Sequence, residues 1–239
     1  MRYFDLPFPM PAMQLACDDM LLDACDADPA CETLRIWQPE TTFVVTGYTN
    51  HIMQEVHVDR CVERGIPLYR RTSGGGTVVQ GPGCLNYALV LRMERDPGLA
   101  TIPSTNRHIL QRMAGTLAGL LGIPVELRGH TDLVCNGRKF SGNAQRRKEH
   151  ALLFHGTFLL AFDLSVIGDL LPLPALQPEY RAGRSHEEFL TNIPLRAGTI
   201  IDAVRREWSA DEVYGAFPLD AVRTLAESRY LNHEWTYRF

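Results

Sequence analysis

Between residues 12 and 27 the apolar side chains Met13, Ala16, Met20, Leu21 and Ala24 recur at helical spacing, which predicts a helix with one buried stripe. Asp18, Asp19 and Asp23 fall between them and read as its solvated face. Two β-rich runs, 33–37 and 42–46, flank Pro39 and read as a hairpin-like pair ended by Gly47. Residues 56–64 read as a short helix closed by Gly65. A strand over 66–69 delivers the chain into a glycine-rich stretch, and a strand over 85–92 leaves it. A Pro/Gly loop spans 96–104, after which Ser104 or Thr105 is placed to cap a helix running to Leu121. Ile109, Met113, Leu117, Leu120 and Leu121 form its core stripe, and Gly122 and Pro124 stop it. Residues 125–127, 132–135, 138–145 and 152–161 are strand-like, and 164–171 is a short helix. A proline-rich connector over 172–184 is able to fold over a ligand. Residues 209–226 read as a C-terminal helix capped by Ser209. Strands in groups, without strict alternation with helices, argue an α+β fold around a largely antiparallel sheet flanked by helices.

The glycine stretch is the most unusual segment. Arg70 and Arg71 run through Thr72 and Ser73 into Gly74, Gly75 and Gly76, and Gly81-Pro82-Gly83 follows. Without a Cβ, such a backbone can approach a ligand closely and take positive φ. Paired arginines offer planar donors suited to phosphate or carboxylate. The alternative is a flexible hairpin loop with two solvated arginines. It is not a P-loop, because no Gly-Lys-Ser/Thr follows, and Val79 stands where a dinucleotide fingerprint needs glycine.

The second informative stretch is Asp132-Leu133-Val134-Cys135-Asn136-Gly137-Arg138-Lys139-Phe140-Ser141. Asn-Gly between apolar strands predicts a two-residue type I′ turn. That register sets Cys135 against Arg138, Val134 against Lys139 and Asp132 against Ser141. Alternation then puts Asp132, Val134, Lys139 and Ser141 on one face, with Asp132 and Lys139 as diagonal neighbours. The two charges are either a surface ion pair or the lining of a site. The small residues Gly142 and Ala144 leave room for the second. Arg138, Arg146, Arg147 and Lys148 form a basic patch, read either as a solvated loop or as a dock for an acidic partner. His155 in the next strand is followed by Gly156, which again permits close approach.

Composition narrows the classes. The 239 residues carry a formal charge of −4, so there is no global electrostatic case for nucleic acid. No apolar run is long enough to span a bilayer. The N-terminus, broken by Asp5, Pro7, Pro9 and Pro11, is not a signal peptide. A cytoplasmic location is expected, with the six cysteines as free thiols. They form no Cys-x-x-Cys pair, which argues against structural zinc. The length suits a single domain over 1–239.

The segment from Arg70 to Val79 resembles the glycine-loop motif of the lipoate–protein ligases. Gly129-His130-Thr131-Asp132-Leu133-Val134 and the run from Gly137 to Gln145 resemble their lysine hairpin. His155-Gly156-Thr157-Phe158-Leu159-Leu160 is similar to the strand that follows. The likeness begins near Gln14 and reaches at least Pro194. Three motifs in this order are specific for the biotin/lipoyl ligase superfamily, and less so for the reaction run. The resemblance implies a catalytic domain whose sheet carries a tunnel for an acyl chain. It implies ATP-dependent activation of lipoate to lipoyl-adenylate, then transfer to a lysine of an apo lipoyl domain or an H-protein-like acceptor. It makes Lys139 the catalytic residue. It places ATP and adenylate at Arg71, Gly76, Thr77, Val78, Val79, Asp132 and Lys139. Lipoic acid falls to Ser73, Gly74, Gly75, Gln80, Ser141, Gly142, Ala144, His155 and Gly156. Mg2+ arrives with the nucleotide near Asp132. The residue chemistry agrees: charge developing on phosphate and carbonyl oxygens needs preorganised donors. Lys139 and the loop backbone supply them.

This chain departs from the family pattern at Gln80, where a histidine is usual, and at Thr131, where an asparagine is usual. Gly81-Pro82-Gly83 is similar instead to the octanoyltransferase relatives. The small C-terminal accessory domain of many ligases is expected to be absent here, and to be supplied by a separate polypeptide as in some relatives. Two rival functions stand beside ligation. An octanoyl or lipoyl transferase on the same fold would use a cysteine thioester, and Cys84 beside the glycine loop is the thiol placed for it. A non-catalytic lipoyl-domain binding protein would have no need of Lys139.

Overall fold

The computed structural model describes residues 1–239. In chain order the elements are β1 (Arg2–Phe4), α1 (Pro11–Ala27), β2 (Thr33–Trp37), β3 (Phe43–Thr46), α2 (Ile52–Glu55), α3 (Val58–Glu63), β4 (Leu68–Arg70), β5 (Val78–Gln80) and β6 (Cys84–Arg92). They continue with α4 (Ile102–Leu121), β7 (Glu126–Arg128), β8 (Asp132–Cys135), β9 (Arg138–Arg147), β10 (Ala151–Leu159), α5 (Ser165–Leu170), α6 (His186–Phe189) and α7 (Ala197–Glu207). The last are β11 (Glu212–Val213), α8 (Leu219–Leu225), extended by a π-turn over Ala226–Tyr230, and α9 (His233–Thr236). No helix is long and apolar enough to cross a membrane.

Eight strands form one sheet in the order β11-β1-β2-β6-β10-β9-β8-β7, antiparallel except around β1. Three more form a small sheet, β4-β3-β5. Alternation along β6 explains the layers. Leu85, Tyr87, Leu89 and Leu91 point to one face, where α4 and α7 pack. Ala88 and Val90 point to the other, against α1 and the small sheet. The fold is therefore α+β with a largely antiparallel sheet flanked by helices. A third apolar cluster joins the outer side of the small sheet to α5 and α6 through Val44, Val79, Ile167 and Phe189.

Several local readings are corrected by long-range pairing. Residues 33–37 and 43–46 are not a hairpin, because β2 has both edges occupied, by β1 and β6, so β3 pairs with β4 and β5. The cap of α4 is Thr101, with Ser104 completing a capping box and Pro103 in the first turn. Ser209 caps nothing: it follows α7, a helix not foreseen, at φ 49°, and Pro218 delays the next helix to Leu219. Of the acidic residues of α1, Asp23 is exposed as expected, but Asp18 and Asp19 are not. Asp18 and Asp19 are 4% and 6% exposed, because Asp18 turns onto Arg35 of the sheet and Asp19 is covered by Arg229 and Tyr230 of the π-turn.

Candidate active site

The glycine loop, between β4 and β5, is held from inside by its own arginines. Arg70 is fully buried and donates to the carbonyls of Gly47, Tyr48, Asn50, Trp235 and Thr236. Arg71 donates to Ser73 Oγ at 3.0 Å and to the carbonyls of Gly74, at 2.6 Å, and Gly76, at 2.8 Å. Burial lowers its pKa to about 10, and the Glu55 charge opposes that shift. Both guanidiniums thus fix backbone carbonyls, and Arg71 does not reach outward toward a phosphate as the sequence implied. Gly47 belongs to the same construction, since a Cβ there would overlap the Gly75 carbonyl oxygen. Gly75 itself takes φ +85°.

With the carbonyls turned inward onto Arg71, the loop amides are free. The N–H groups of Gly74, Gly75, Gly76 and Thr77 donate to no protein acceptor, and Gly74, Gly75 and Gly76 are exposed. A Cβ at Gly74 or Gly76 would meet nothing within 4 Å. Consecutive free amides beside open space make a cradle for an anion. Thr77 Oγ1 is held by Glu55 at 2.6 Å and by Thr46 at 2.9 Å. Val78 is half-buried, and Val79 packs into the core on the outer side of the small sheet.

Helix α1 and β10 hold the loop from below. Thr72 donates to Asp19 Oδ1 at 2.6 Å, and Asp19 Oδ2 accepts from Arg229 and from the Tyr230 hydroxyl, each at 2.7 Å. Ser73 Oγ lies 2.6 Å from His155 Nε2, and His155 Nδ1 lies 3.7 Å from Asp18 Oδ2. Asp18 in turn pairs with the fully buried Arg35 at 2.5 Å. His155 therefore positions the loop from the sheet. Asp18 and Asp19, missed in the sequence, are part of the same support; Gln14, one turn before Asp18 and also on Arg35, is the signal that could have found them.

The lysine hairpin forms as expected around Asn136, φ 50°, and Gly137, φ 74°, with Val134 against Lys139 and Cys135 against Arg138. A β-bulge then intervenes, so Asp132 pairs with Gly142, and Leu133 with Ser141. Lys139 Nζ still reaches Asp132 Oδ1 at 2.7 Å. Ser141, predicted on that face, is instead 1% exposed and shares the side of Asn143, which takes the Tyr87 hydroxyl at 2.6 Å on the α4 side. The space above Gly142 is filled by Lys139: a Cβ there would lie 2.9 Å from Nζ. Ala144 lies beneath Gly75, 3.5 Å from where its Cβ would be. Gly156 does not face a ligand, because the space of its missing side chain holds the Asn143 carboxamide. Gln80 donates to Thr157 Oγ1 at 2.7 Å, and Thr157 to Asn86 at 2.5 Å. Gln80 Oε1 and Asn86 Nδ2 stay buried without a partner.

The basic patch is absorbed structurally. Arg146 binds the Thr72 carbonyl, Arg147 the Leu99 carbonyl, Arg138 the Glu187 carbonyl, and Lys148 pairs with Asp23. No three His, Cys, Asp or Glu side chains converge as a metal site. All six thiols are free, and five are buried. Cys84 is fully buried among apolar side chains, and that burial pushes its thiol up to about 12. The partly exposed Cys31 ends the short turn before β2, a strand three places from β9 in the sheet.

Residues 10–217 match the lipoyl protein ligase A/B catalytic domain. A probable lipoate-protein ligase A of Mycoplasma pneumoniae is 26% identical over 97% of this chain and 69% of its own. The octanoyltransferase LipM of Bacillus subtilis is 25% identical over 99% of this chain and 98% of its own. Among solved structures, a bi-partite lipoate protein ligase of Thermoplasma acidophilum, described with its E2 lipoyl domain, superposes with TM-score 0.81 at 22% identity, covering 99% of this chain and 95% of that one. A lipoate-protein ligase A bound with ATP superposes with TM-score 0.79 at 23% identity, over 99% and 98%. The glycine loop and the lysine hairpin thus sit on the fold of those enzymes, and with most of its length matched the chain belongs to the lipoyl protein ligase A/B catalytic-domain family.

Proposed function

We propose that this protein activates lipoic acid with ATP and transfers the lipoyl group to a lysine of an apo lipoyl domain. The lipoate carboxylate attacks the α-phosphate of ATP, releasing pyrophosphate. The acceptor ε-amine then attacks the acyl carbon, releasing AMP. The four free amides from Gly74 to Thr77 suit the nucleotide phosphates. Lys139, on the strand beneath them, supplies a mobile positive charge to the oxygens that become more negative in both steps. The acyl tail is assigned to the face beneath the loop, where Ala144 is small and Gln80 Oε1 is without a partner. Mg2+ would arrive on the nucleotide's phosphates, with Asp132 the carboxylate at hand, since no protein cage of three ligands exists.

The observation that carries ligation over transfer from a thioester is the position of the thiols. Acyl transfer through cysteine needs an accessible thiolate at the acyl carbonyl. Cys84, the thiol placed for that role by the sequence, is buried and held protonated. The transferase reading keeps one observation in its favour, because LipM aligns over 98% of its length where the ligase aligns over 69%. The deciding experiment mixes the protein with lipoate, MgATP and an apo lipoyl domain and reads the acceptor's mass. A lipoyl mass shift that needs ATP supports ligation. A shift from octanoyl carrier protein without ATP, and none with lipoate and ATP, refutes it. A separate accessory polypeptide is part of the same proposal: adenylation by this chain alone is expected to be slower than transfer from synthetic lipoyl-adenylate, and equal fast rates would refute it.

A further inference from the structure

Asp132 has two oxygens and two different partners. Oδ1 lies 2.7 Å from Lys139 Nζ, and Oδ2 accepts from the Tyr180 hydroxyl at 2.7 Å. Tyr180 stands on the connector 172–184, the proline-rich segment that the sequence marks as able to fold over a ligand. Its ring packs on Phe189, with centroids 5.1 Å apart, and lies against Gly129, where a Cβ would be 3.6 Å away. Arg184 fixes the connector by donating to the Tyr180 carbonyl at 2.8 Å and to the Gly137 carbonyl at 3.0 Å. The next segment holds the lysine's backbone, with Thr191 N–H donating to the Lys139 carbonyl at 2.9 Å. The connector therefore grips the hairpin at its turn and at the lysine's counter-ion, and the segment after it holds the lysine's backbone.

We propose that Tyr180 is a positioning residue for Lys139, tying the docking of the connector to the placement of the lysine through Asp132. When the connector is seated, the phenol orients the carboxylate, and the carboxylate sets where the ammonium stands. When it lifts, Asp132 loses a donor and Lys139 is free to swing from Gly142. Burial and the Asp132 charge hold the phenol protonated, so it stays a donor throughout the physiological range. A lysine that is held and then released suits a charge needed on different oxygens in the two steps, so the proposal rests on the reading of Lys139 given above.

The test is Tyr180→Phe, which removes one hydroxyl and keeps the ring on Phe189. The chain has only two lysines, Lys139 and Lys148, so competitive acetylation read by mass spectrometry reports Lys139 against an internal standard. Loss of one charge-assisted hydrogen bond is expected to raise the Lys139:Lys148 labelling ratio about five- to tenfold, and to speed hydrogen exchange in 172–184 but not in α4. Lipoylation is expected to slow by a similar factor. In an Asp132→Asn background the same substitution is expected to add less than about twofold, because the two act through one contact. An unchanged labelling ratio with unchanged exchange overturns the proposal, as does full additivity in the double variant. Labelling and exchange need no turnover, so a protein that fails to ligate under any condition sinks the functional reading and leaves this test standing.

Discussion

Asp19 offers the sharpest test of the structure against the sequence. As a solvated residue on the outer face of α1, its replacement by alanine would change stability by less than about 0.5 kcal/mol. In the structure Asp19 is 6% exposed and accepts from Thr72, Arg229 and Tyr230. Tyr230 is 1% exposed and Thr72 6%, so both hydroxyls would lose a buried partner, while Arg229, about two-fifths exposed, turns to water. Two orphaned buried hydroxyls at roughly 1–2 kcal/mol each, plus a small term for the screened guanidinium, give about 3–4 kcal/mol. For a chain of this size that corresponds to a fall in Tm of roughly 6–16 °C. Asp19→Asn, which keeps one acceptor, is expected to lose about half as much. Differential scanning calorimetry of the two variants measures this directly. Thr72 leads into Ser73 and the glycine loop, so lipoylation by Asp19→Ala is also expected to fall at temperatures where the fold persists. A Tm shift under about 2 °C in Asp19→Ala would refute the buried network and restore the solvated reading.

Lys139→Ala is expected to abolish adenylate formation, measured by ATP–pyrophosphate exchange, with the fold retained but Tm lowered by a few degrees, since Asp132, 8% exposed, loses its counter-ion. Gly75→Val is expected to block lipoate binding in calorimetry and also to lower stability by about 1–2 kcal/mol, because the residue sits at φ +85°; Gly74→Ala, where a Cβ meets nothing, is expected to leave the fold unchanged. Cys17, Cys25 and Cys84 each have thiols raised from 9.0 to about 12 by burial. The folded state then holds protons that the unfolded state releases, so this stabilisation is complete below pH 9 and is lost as pH rises from 9 to 12. Denaturation followed across that window checks it, and stability rising with pH would contradict the burial of these thiols. Cys84→Ser is expected to keep ATP-dependent ligation; its loss, with a thioester-linked acyl protein in the parent, would establish the transferase.

Much of the site could be read from local sequence because its defining features are local. The Asn136-Gly137 turn fixes two rungs of a hairpin by itself, and three glycines after two arginines announce a loop whose backbone matters more than its side chains. Alternation in β6 and the stripe of α4 likewise carry their own burial. The chain alone could not show what stands opposite. Arg71 looks like a phosphate ligand in the sequence and becomes the strut that turns the loop carbonyls inward and so frees its amides. Asp19 meets Tyr230 across 211 positions of chain, and Tyr180 meets Asp132 across 48, so no short-range pattern records either contact. One bulge was enough to turn Ser141 away from the site and Gly156 was claimed by Asn143, because pairing register and occupied space are settled only when all strands are laid together. Backbone propensity and periodicity thus determined which segments bend and which alternate, while burial of charge, which needs partners from distant segments, was decided by the tertiary fold.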